Sequence, residues 1–177
     1  MSYRLLLGGV RSGKSRLAVE LAERQHAPVV VIATAVAFDE SMGERIRRHR
    51  AERPPSWSTI EEPERVVERI GEVDPSAFVL LDCATVWAAN LMLGEMADAE
   101  IIERSEALAE TLAGRSGHGV VVTNEVGMGV HPSSELGRRY RDVLGAVNVR
   151  LASRAERSAL IVAGRAMLLD DPIALLG

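Results

Sequence analysis

The chain alternates between short apolar runs and longer segments whose apolar residues recur at helical spacing. The runs are mostly β-branched and do not alternate with polar positions; they lie at residues 5–7, 29–33, 78–81, 120–122 and 159–162. Short continuous apolar runs of this kind are typical of strands buried on both faces of a parallel sheet. The pattern therefore predicts five buried parallel strands.

Helical patterns separate these strands. They are predicted at residues 14–24, 41–52, 63–70, 86–96, 99–112 and 134–152. Strands that alternate with helices predict an α/β fold with a mostly parallel sheet flanked by helices. At 177 residues the chain has the usual length of one domain, which we place at residues 1–177.

The segment between the first strand and the first helix fits the phosphate-binding pattern G-x-x-x-x-G-K-[ST] at every defined position. It consists of Gly8, Gly9, Val10, Arg11, Ser12, Gly13, Lys14 and Ser15. Its glycines let main-chain N–H groups approach a phosphate, Lys14 would reach the β- and γ-phosphate oxygens, and Ser15 would complete the coordination of Mg²⁺. A glycine-rich turn capped by Ser12 or Ser15 is the weaker alternative.

Polar residues follow the carboxyl ends of the other strands. Thr34, Asp82 and residues 123–125 hold these positions, and ligands of open α/β sheets bind at this edge. We expect Asp82 to share a magnesium ion with Ser15, the alternative being that it caps the next helix. Glu125 is a candidate for metal binding or base catalysis, or belongs to a turn or subunit contact.

An arginine-rich segment forms the second candidate for chemistry. His49 lies one helical turn from Arg45 and Arg53, so three basic side chains share a face that suits a triphosphate. Neighbouring arginines favour a neutral imidazole, which can attack phosphorus. From the spacing alone, a solvated helix face with ion pairs at i,i+4 is the stronger interpretation.

Composition narrows the partners. The net charge of −4 gives no general attraction to nucleic acid or to anionic membranes, which favours a small-molecule substrate. Cys83 is the single cysteine, so no intrachain disulfide forms, as expected in the cytoplasm. The longest apolar stretch, at residues 29–38, is far shorter than the roughly 20 residues that span a bilayer. We expect a cytoplasmic protein without a membrane span.

Taken together, these motifs resemble the bifunctional adenosylcobinamide kinase/adenosylcobinamide-phosphate guanylyltransferase family of cobalamin biosynthesis. The matching residues occur in one order: the phosphate loop with Arg16, residues 32–34, Arg45-Ile46, His49-Arg50, Arg53-Pro54, residues 57–59 with Glu61, residues 80–83 and residues 122–129. The run from Thr123 to Gly129 is far more specific than the phosphate loop.

The resemblance implies a two-step enzyme. ATP or GTP phosphorylates the hydroxyl of adenosylcobinamide, a corrinoid, and GTP then supplies GMP through a covalent GMP-histidine at His49, giving adenosylcobinamide-GDP and pyrophosphate. It further implies a RecA-like sheet, a homotrimer, and nucleotide contacts beyond the phosphate loop at Thr34, Ala35, Val36, Arg50, Ala51, Glu52, Arg53, Glu61 and Asp82.

Kinase chemistry attacks the γ-phosphorus and guanylyl transfer attacks the α-phosphorus, so one fixed pose of the triphosphate does not serve both steps. We therefore expect Lys14 and the phosphate loop to act in the first step and His49 in the second. Two other functions fit the sequence: a different phosphate-loop kinase or NTPase whose arginine helix clamps the γ-phosphate, and a nucleotide-binding module without catalysis.

Overall fold

The fold is built on a seven-stranded sheet with the strand order β3-β2-β4-β5-β1-β6-β7. The computed structural model describes residues 3–37, 40–51 and 53–177. The strands are β1 (Tyr3–Leu7), β2 (Val29–Ala33), β3 (Ser58–Glu61), β4 (Phe78–Asp82), β5 (Gly119–Val122), β6 (Arg157–Val162) and β7 (Arg165–Leu169). Strands β1 to β6 pair in parallel, and only β7 runs antiparallel, against β6. The predicted mostly parallel α/β sheet is confirmed.

Helices connect the strands in the order expected of such a sheet. They are α1 (Lys14–Glu23), α2 (Glu40–Ala51), α3 (Val66–Glu72), α4 (Ala84–Leu93), α5 (Asp98–Gly114), α6 (Glu135–Arg154) and α7 (Pro172–Leu176). Two buried clusters hold α1 and α3 to α6 to the sheet, one containing Trp87, Leu108 and Leu144 and the other containing Ala18 and Phe78. The central strands are thus covered on both faces, which is why they carry uninterrupted apolar runs.

Three elements have no counterpart among the predicted ones. The strand β3 is half-exposed and reads Ser-Thr-Ile-Glu, so it lacks the continuous apolar pattern of its neighbours. The other two are β7 and α7, whose side chains are exposed throughout. Edge elements such as β3 need not be buried on both faces, so the pattern of buried parallel strands does not predict them.

One predicted helix starts late. The pattern predicts a helix from residue 63, but α3 begins at Val66. The buried Glu62 carboxylate accepts hydrogen bonds from the main-chain N–H groups of Glu64 and Arg65, at 3.1 and 2.9 Å. In a helix that began at residue 63, these first N–H groups would have no partner within the helix. The Glu62 carboxylate accepts them in a local turn, and the helix begins after this turn.

The strand order brings the predicted chemistry together. Strand β5 lies between β1 and β4, and β2 lies on the other side of β4. The phosphate loop follows β1, Asp82 ends β4 and Thr34 follows β2. Since these strands are parallel, all three segments leave the same edge of the sheet.

Candidate active site

The phosphate loop is shaped by its glycines and closed by its lysine. Gly8 and Gly13 have φ angles of +149° and +101°, a region that residues with a Cβ rarely adopt. The Lys14 ammonium donates a hydrogen bond of 2.7 Å to the Gly9 carbonyl oxygen, within the loop itself. Gly13 occupies the N-cap of α1, and no side-chain cap is found there among the described residues. The described contacts therefore give no support to a turn capped by Ser12 or Ser15.

A hairpin that the sequence interpretation missed supports this loop. Strands β6 and β7 are joined by Ala163 and Gly164, with φ angles of +50° and +72°, as in tight two-residue hairpins. The Gly164 N–H donates to the Ser12 carbonyl oxygen at 2.8 Å. A Cβ on Gly8 would lie 2.3 Å from the carbonyl oxygen of Ile161, at the end of β6. A small residue followed by glycine between two apolar runs was the signal that could have revealed the turn.

A cleft of about 830 Å³ opens beside the loop. The predicted residues that line it are Val10, Arg11, Ser12, Gly13, Lys14, Ser15, Ala35, Val36, His49, Arg50, Arg53, Glu61 and Asp82. Gly8, Gly9, Thr34 and Ala51 are not among the described residues along its wall, and Glu52 lies outside the described residues. The structure therefore brings His49 and the phosphate loop into one cavity, although they are 35 positions apart.

Thr34, which is predicted to contact nucleotide, makes its described hydrogen bonds within the protein. It is fully buried; its hydroxyl donates to the Cys83 carbonyl oxygen at 2.8 Å and accepts from the Cys83 N–H at 3.0 Å. The amide of Asn90 donates to the Thr34 carbonyl oxygen at 2.9 Å. Thr34 therefore fastens the end of β2 to the end of β4 and supports Asp82 from beneath.

Asp82 is the charged centre of the cleft. Its Oδ2 lies 3.2 Å from a guanidinium nitrogen of Arg53 and 3.8 Å from Nδ1 of His49. Burial alone would raise the pKa of the Asp82 carboxyl, but His49 and Arg53 outweigh it, and the pKa falls below the ordinary value. Asp82 is therefore the last residue of β4 with its carboxylate in the cleft, and the N-cap of α4 is Cys83.

The environment of His49 differs from the one expected. The spacing predicts arginines around the imidazole, but the described contact of its Nδ1 is the carboxylate of Asp82. Arg53 lies beyond the end of α2 and binds the same carboxylate oxygen, while the Arg45 side chain lies outside what the structure describes. The Asp82 carboxylate lies close enough to attract the imidazole when the ring is protonated.

The other candidate residues, Glu61, Glu125 and Cys83, lie in three different environments. Glu61, at the end of β3, pairs with Arg50 at 3.3 Å on the exposed rim of the cleft. The Glu125 carboxylate accepts a hydrogen bond from the Gly127 N–H, which favours the turn interpretation over catalysis. Burial raises the pKa of the Cys83 thiol to about 11, and the Asp82 charge adds to this, so the thiol stays protonated and is a poor nucleophile.

Residues 3–37, 40–51 and 53–177 hold no group of three or more histidine, cysteine or acidic side chains suited to a metal. Magnesium needs no such group, because it is commonly bound by one or two protein oxygens together with phosphates and waters. The hydroxyl of Ser15 and the carboxylate of Asp82 both line the cleft and offer hard oxygen donors. This donor set fits Mg²⁺.

Comparison with known proteins identifies the enzyme class. The family profile described as cobinamide kinase / cobinamide phosphate guanyltransferase matches residues 4–169. The chain belongs to this family. The kinase and guanylyltransferase class expected from the resemblance is thereby confirmed, as is its place in adenosylcobalamin biosynthesis.

Relatives support the assignment across the whole fold. The bifunctional adenosylcobalamin biosynthesis protein CobP of Pseudomonas aeruginosa is 45% identical over 171 residues, which is 96% of this chain and 98% of that protein. CobU of Escherichia coli is 36% identical over 173 residues, which is 90% of this chain and 95% of that protein.

Among solved structures, an ATPase from the type III secretion system of pathogenic bacteria has a TM-score of 0.60 at 12% identity, covering 94% of this chain and 56% of that one. The likeness shows that this family member has the fold of a phosphate-loop ATPase. Among the described residues, no helix combines the length and apolar character needed to cross a bilayer.

Proposed function

We propose that the cleft carries both activities of the family in sequence, with the phosphate loop acting in the kinase step and His49 in guanylyl transfer. In the first step the hydroxyl oxygen of adenosylcobinamide bonds to the γ-phosphorus of ATP or GTP, the bond from that phosphorus to the β–γ bridging oxygen breaks, and the nucleoside diphosphate leaves. The hydroxyl proton passes to solvent. Lys14 and the loop N–H groups stabilise the charge that spreads over the transferred group.

In the second step an imidazole nitrogen of His49 bonds to the α-phosphorus of GTP as the bond to the α–β bridging oxygen breaks and pyrophosphate leaves. A phosphate oxygen of adenosylcobinamide phosphate then displaces the histidine, giving adenosylcobinamide-GDP. The observation that carries this proposal is the position of His49 in the same cleft as the phosphate loop, with Asp82 beside its ring. Asp82 offsets the positive charge that the ring gains while it carries GMP.

Magnesium, held by Ser15 and Asp82 together with the phosphates, would neutralise charge on the polyphosphate. Within the chain, Asp82 would then have to release Arg53 or share its carboxylate. Arg50 and Glu61 are exposed at the rim of the cleft. We expect them to contact the part of the guanine nucleotide that extends beyond its phosphates.

The decisive experiment uses GTP labelled at its α-phosphorus. The wild-type chain should acquire label that is lost in acid and stable in alkali, as a phosphorus–nitrogen bond requires, and His49→Ala should acquire none. His26→Ala is the matched control, because His26 is exposed in the turn that follows α1 and its replacement should leave labelling unchanged.

Peptide mapping by mass spectrometry completes this test. Lys14 is the only lysine of the sequence, so a phosphorus–nitrogen bond to lysine has one possible position. Guanylate found on Lys14, or no label on a chain that still hydrolyses ATP, would refute the histidine intermediate and favour an ordinary phosphate-loop NTPase.

We also propose that the chain forms a homo-oligomer, a trimer by resemblance to its family. The exposed strand β7 and helix α7 present large apolar side chains to solvent, namely Met167, Leu168, Leu169, Ile173, Leu175 and Leu176. Exposed apolar side chains on and near an edge strand favour association. Light scattering coupled to size-exclusion chromatography tests the proposal, and a monomer at micromolar concentration would refute it.

A further inference from the structure

Asn124 follows the strand that lies between the two strands leading to the phosphate loop and to Asp82. It follows β5, which pairs with β1 on one side and β4 on the other. The Glu125 N–H donates to the Gly8 carbonyl oxygen at 3.2 Å, which fastens this segment to the phosphate loop. Asn124 therefore lines the cleft between the phosphate loop and Asp82.

A buried polar network fixes the main chain of Asn124. Its N–H donates to Oγ1 of Thr85 at 2.6 Å, and its carbonyl oxygen accepts from the amide of Asn148 at 2.9 Å. The hydroxyl of Thr123 donates to Oδ1 of Asn148 at 2.7 Å and lies 3.3 Å from the Thr85 hydroxyl. Three elements, α4, β5 and α6, thus converge on one residue.

The network is costly unless each member is satisfied. Thr123, Thr85 and Asn148 are 0%, 5% and 6% exposed, and polar groups buried this deeply destabilise a fold when unpaired. Apolar residues would fill the same space without that risk. The network holds Asn124 through its main chain only, so the identity of the Asn124 side chain matters to the cleft rather than to the network.

We propose that the Asn124 amide contacts the transferred phosphoryl group in the kinase step, and that Thr85 and Asn148 are positioning residues for it. An amide donates hydrogen bonds without adding charge, so it complements the charged Lys14 on the loop. A fixed donor aimed at developing negative charge contributes most when it needs no rearrangement. This inference rests on the proposed function.

The first test compares Asn124→Ala and Asn124→Asp in the two half-reactions, the second half-reaction being started from adenosylcobinamide phosphate and GTP. We expect Asn124→Ala to lower the kinase kcat about 100-fold with the KM for ATP within about threefold. Asn124→Asp should be slower still, because its charge repels the phosphoryl group. His49 guanylylation should remain within about threefold of wild type. Equal losses in both half-reactions, or no loss in either, would overturn the proposal.

The second test separates positioning from stability. Thr85→Val keeps the shape of the side chain but removes the hydroxyl, and should lower the kinase kcat about tenfold, whereas Thr85→Ser should restore it to within about twofold of wild type. Ser105→Ala is the control, since Ser105 is equally buried and donates to the Ile102 carbonyl oxygen on α5, outside the cleft. A Thr85→Val variant that loses stability as Ser105→Ala does, with an unchanged kcat, would show that the network is merely structural.

Failure of the proposed function would give a different result. A wild-type chain that does not phosphorylate adenosylcobinamide contradicts the proposed function, whatever its variants do. The Asn124 comparison is then made on hydrolysis of ATP to ADP and phosphate, where water replaces the hydroxyl. The same 100-fold loss supports the contact with the phosphoryl group, and wild-type hydrolysis by Asn124→Ala overturns it.

Discussion

The two sides of the cleft hold their functional groups by different forces. The phosphate loop is fixed by main-chain hydrogen bonds, including those from Gly164 to Ser12 and from Glu125 to Gly8. The described ties between the His49 region and the sheet are instead charged side-chain contacts, from His49 and Arg53 to Asp82 and from Arg50 to Glu61.

This difference has consequences for catalysis. Main-chain hydrogen bonds respond little to salt or pH. Ion pairs weaken when salt is added, and they are lost when a change of pH neutralises one partner. A preformed cradle suits a kinase step in which positioning supplies most of the acceleration. In the proposed second step, His49 accepts and then releases GMP, and partners whose charge can be shared suit that step. The two sides should therefore fail separately when each is disturbed.

The largest effect is expected from Lys14→Met. Loss of the ammonium should lower the kinase kcat about 1,000-fold, because the charge on the transferred phosphoryl group loses its cation. Guanylylation of His49 should fall less than about tenfold. Steady-state rates of the two half-reactions measure the split. Arg24→Met, which removes a charge at the other end of the same helix, is the control, and parallel losses in Lys14→Met would break the comparison.

Gly8→Ala tests the phosphate-loop side of the cleft, here called the rigid side, by adding one methyl group that has no room. The new Cβ would lie 2.3 Å from the Ile161 carbonyl oxygen, at a φ of +149°, so either the loop or β6 must move. We expect a loss of about 3 kcal/mol in unfolding free energy, measured by urea denaturation. Gly9→Ala is its neighbour and control, because a Cβ there meets nothing within 4 Å. Equal stability of the two variants would show that the loop is not held as described.

Sequence alone could predict the rigid side well. The phosphate loop, the central parallel strands and the strand-end residue Asp82 follow from local patterns that need no knowledge of distant contacts. The support that the β6–β7 hairpin gives to the loop does not follow from local patterns, because Ala163 and Gly164 come close to the loop only when β6 pairs with β1. Thr34 shows a further limit: its place at a strand end was correct, but the pattern cannot reveal that its hydroxyl faces Cys83 rather than the cleft.

The histidine side was harder to predict for a physical reason. Helical spacing places arginines near His49, but it cannot show that β4 delivers Asp82 to the same ring. The buried network around Thr123 was missed because its partners Thr85 and Asn148 each lie alone in a different helix. A lone polar residue in an apolar segment, such as Asn148 within α6, was the available signal.

Asp82→Asn tests the charged side at its centre. Arg53 would remain 9% exposed beside a neutral amide, and we expect a loss of about 2 kcal/mol in unfolding free energy at pH 7. Asp142→Asn is the control, because Asp142 pairs with Arg141 but is 67% exposed. A loss no larger than that of Asp142→Asn would mean that the pairing contributes nothing to stability.

The acid dependence gives the sign of the same effect. The pKa of Asp82 is lower in the folded chain than its ordinary value of 3.8, so the folded state binds fewer protons than the unfolded one. Its stabilisation is fully present above pH 3.8 and is lost as pH falls through the folded value. Asp82→Asn should therefore flatten the acid limb of a plot of unfolding free energy against pH, and an unchanged slope would contradict the assignment.

The smallest effect on stability is expected from Glu61→Gln. Arg50 and Glu61 are 68% and 65% exposed, and exposed pairs contribute little, so the unfolding free energy should change by less than about 0.5 kcal/mol. If the pair instead serves the nucleotide, the KM for GTP in guanylyl transfer should rise about tenfold while the KM for ATP in the kinase step stays constant. Glu110→Gln is the matched control, since Glu110 and its partner Arg154 are 57% and 51% exposed and are not among the described residues of the cleft. A stability loss above 1 kcal/mol without a change in KM would mean that the Arg50–Glu61 pair holds α2 in place. The His49 side of the cleft would then depend on this exposed pair rather than on the contacts to Asp82.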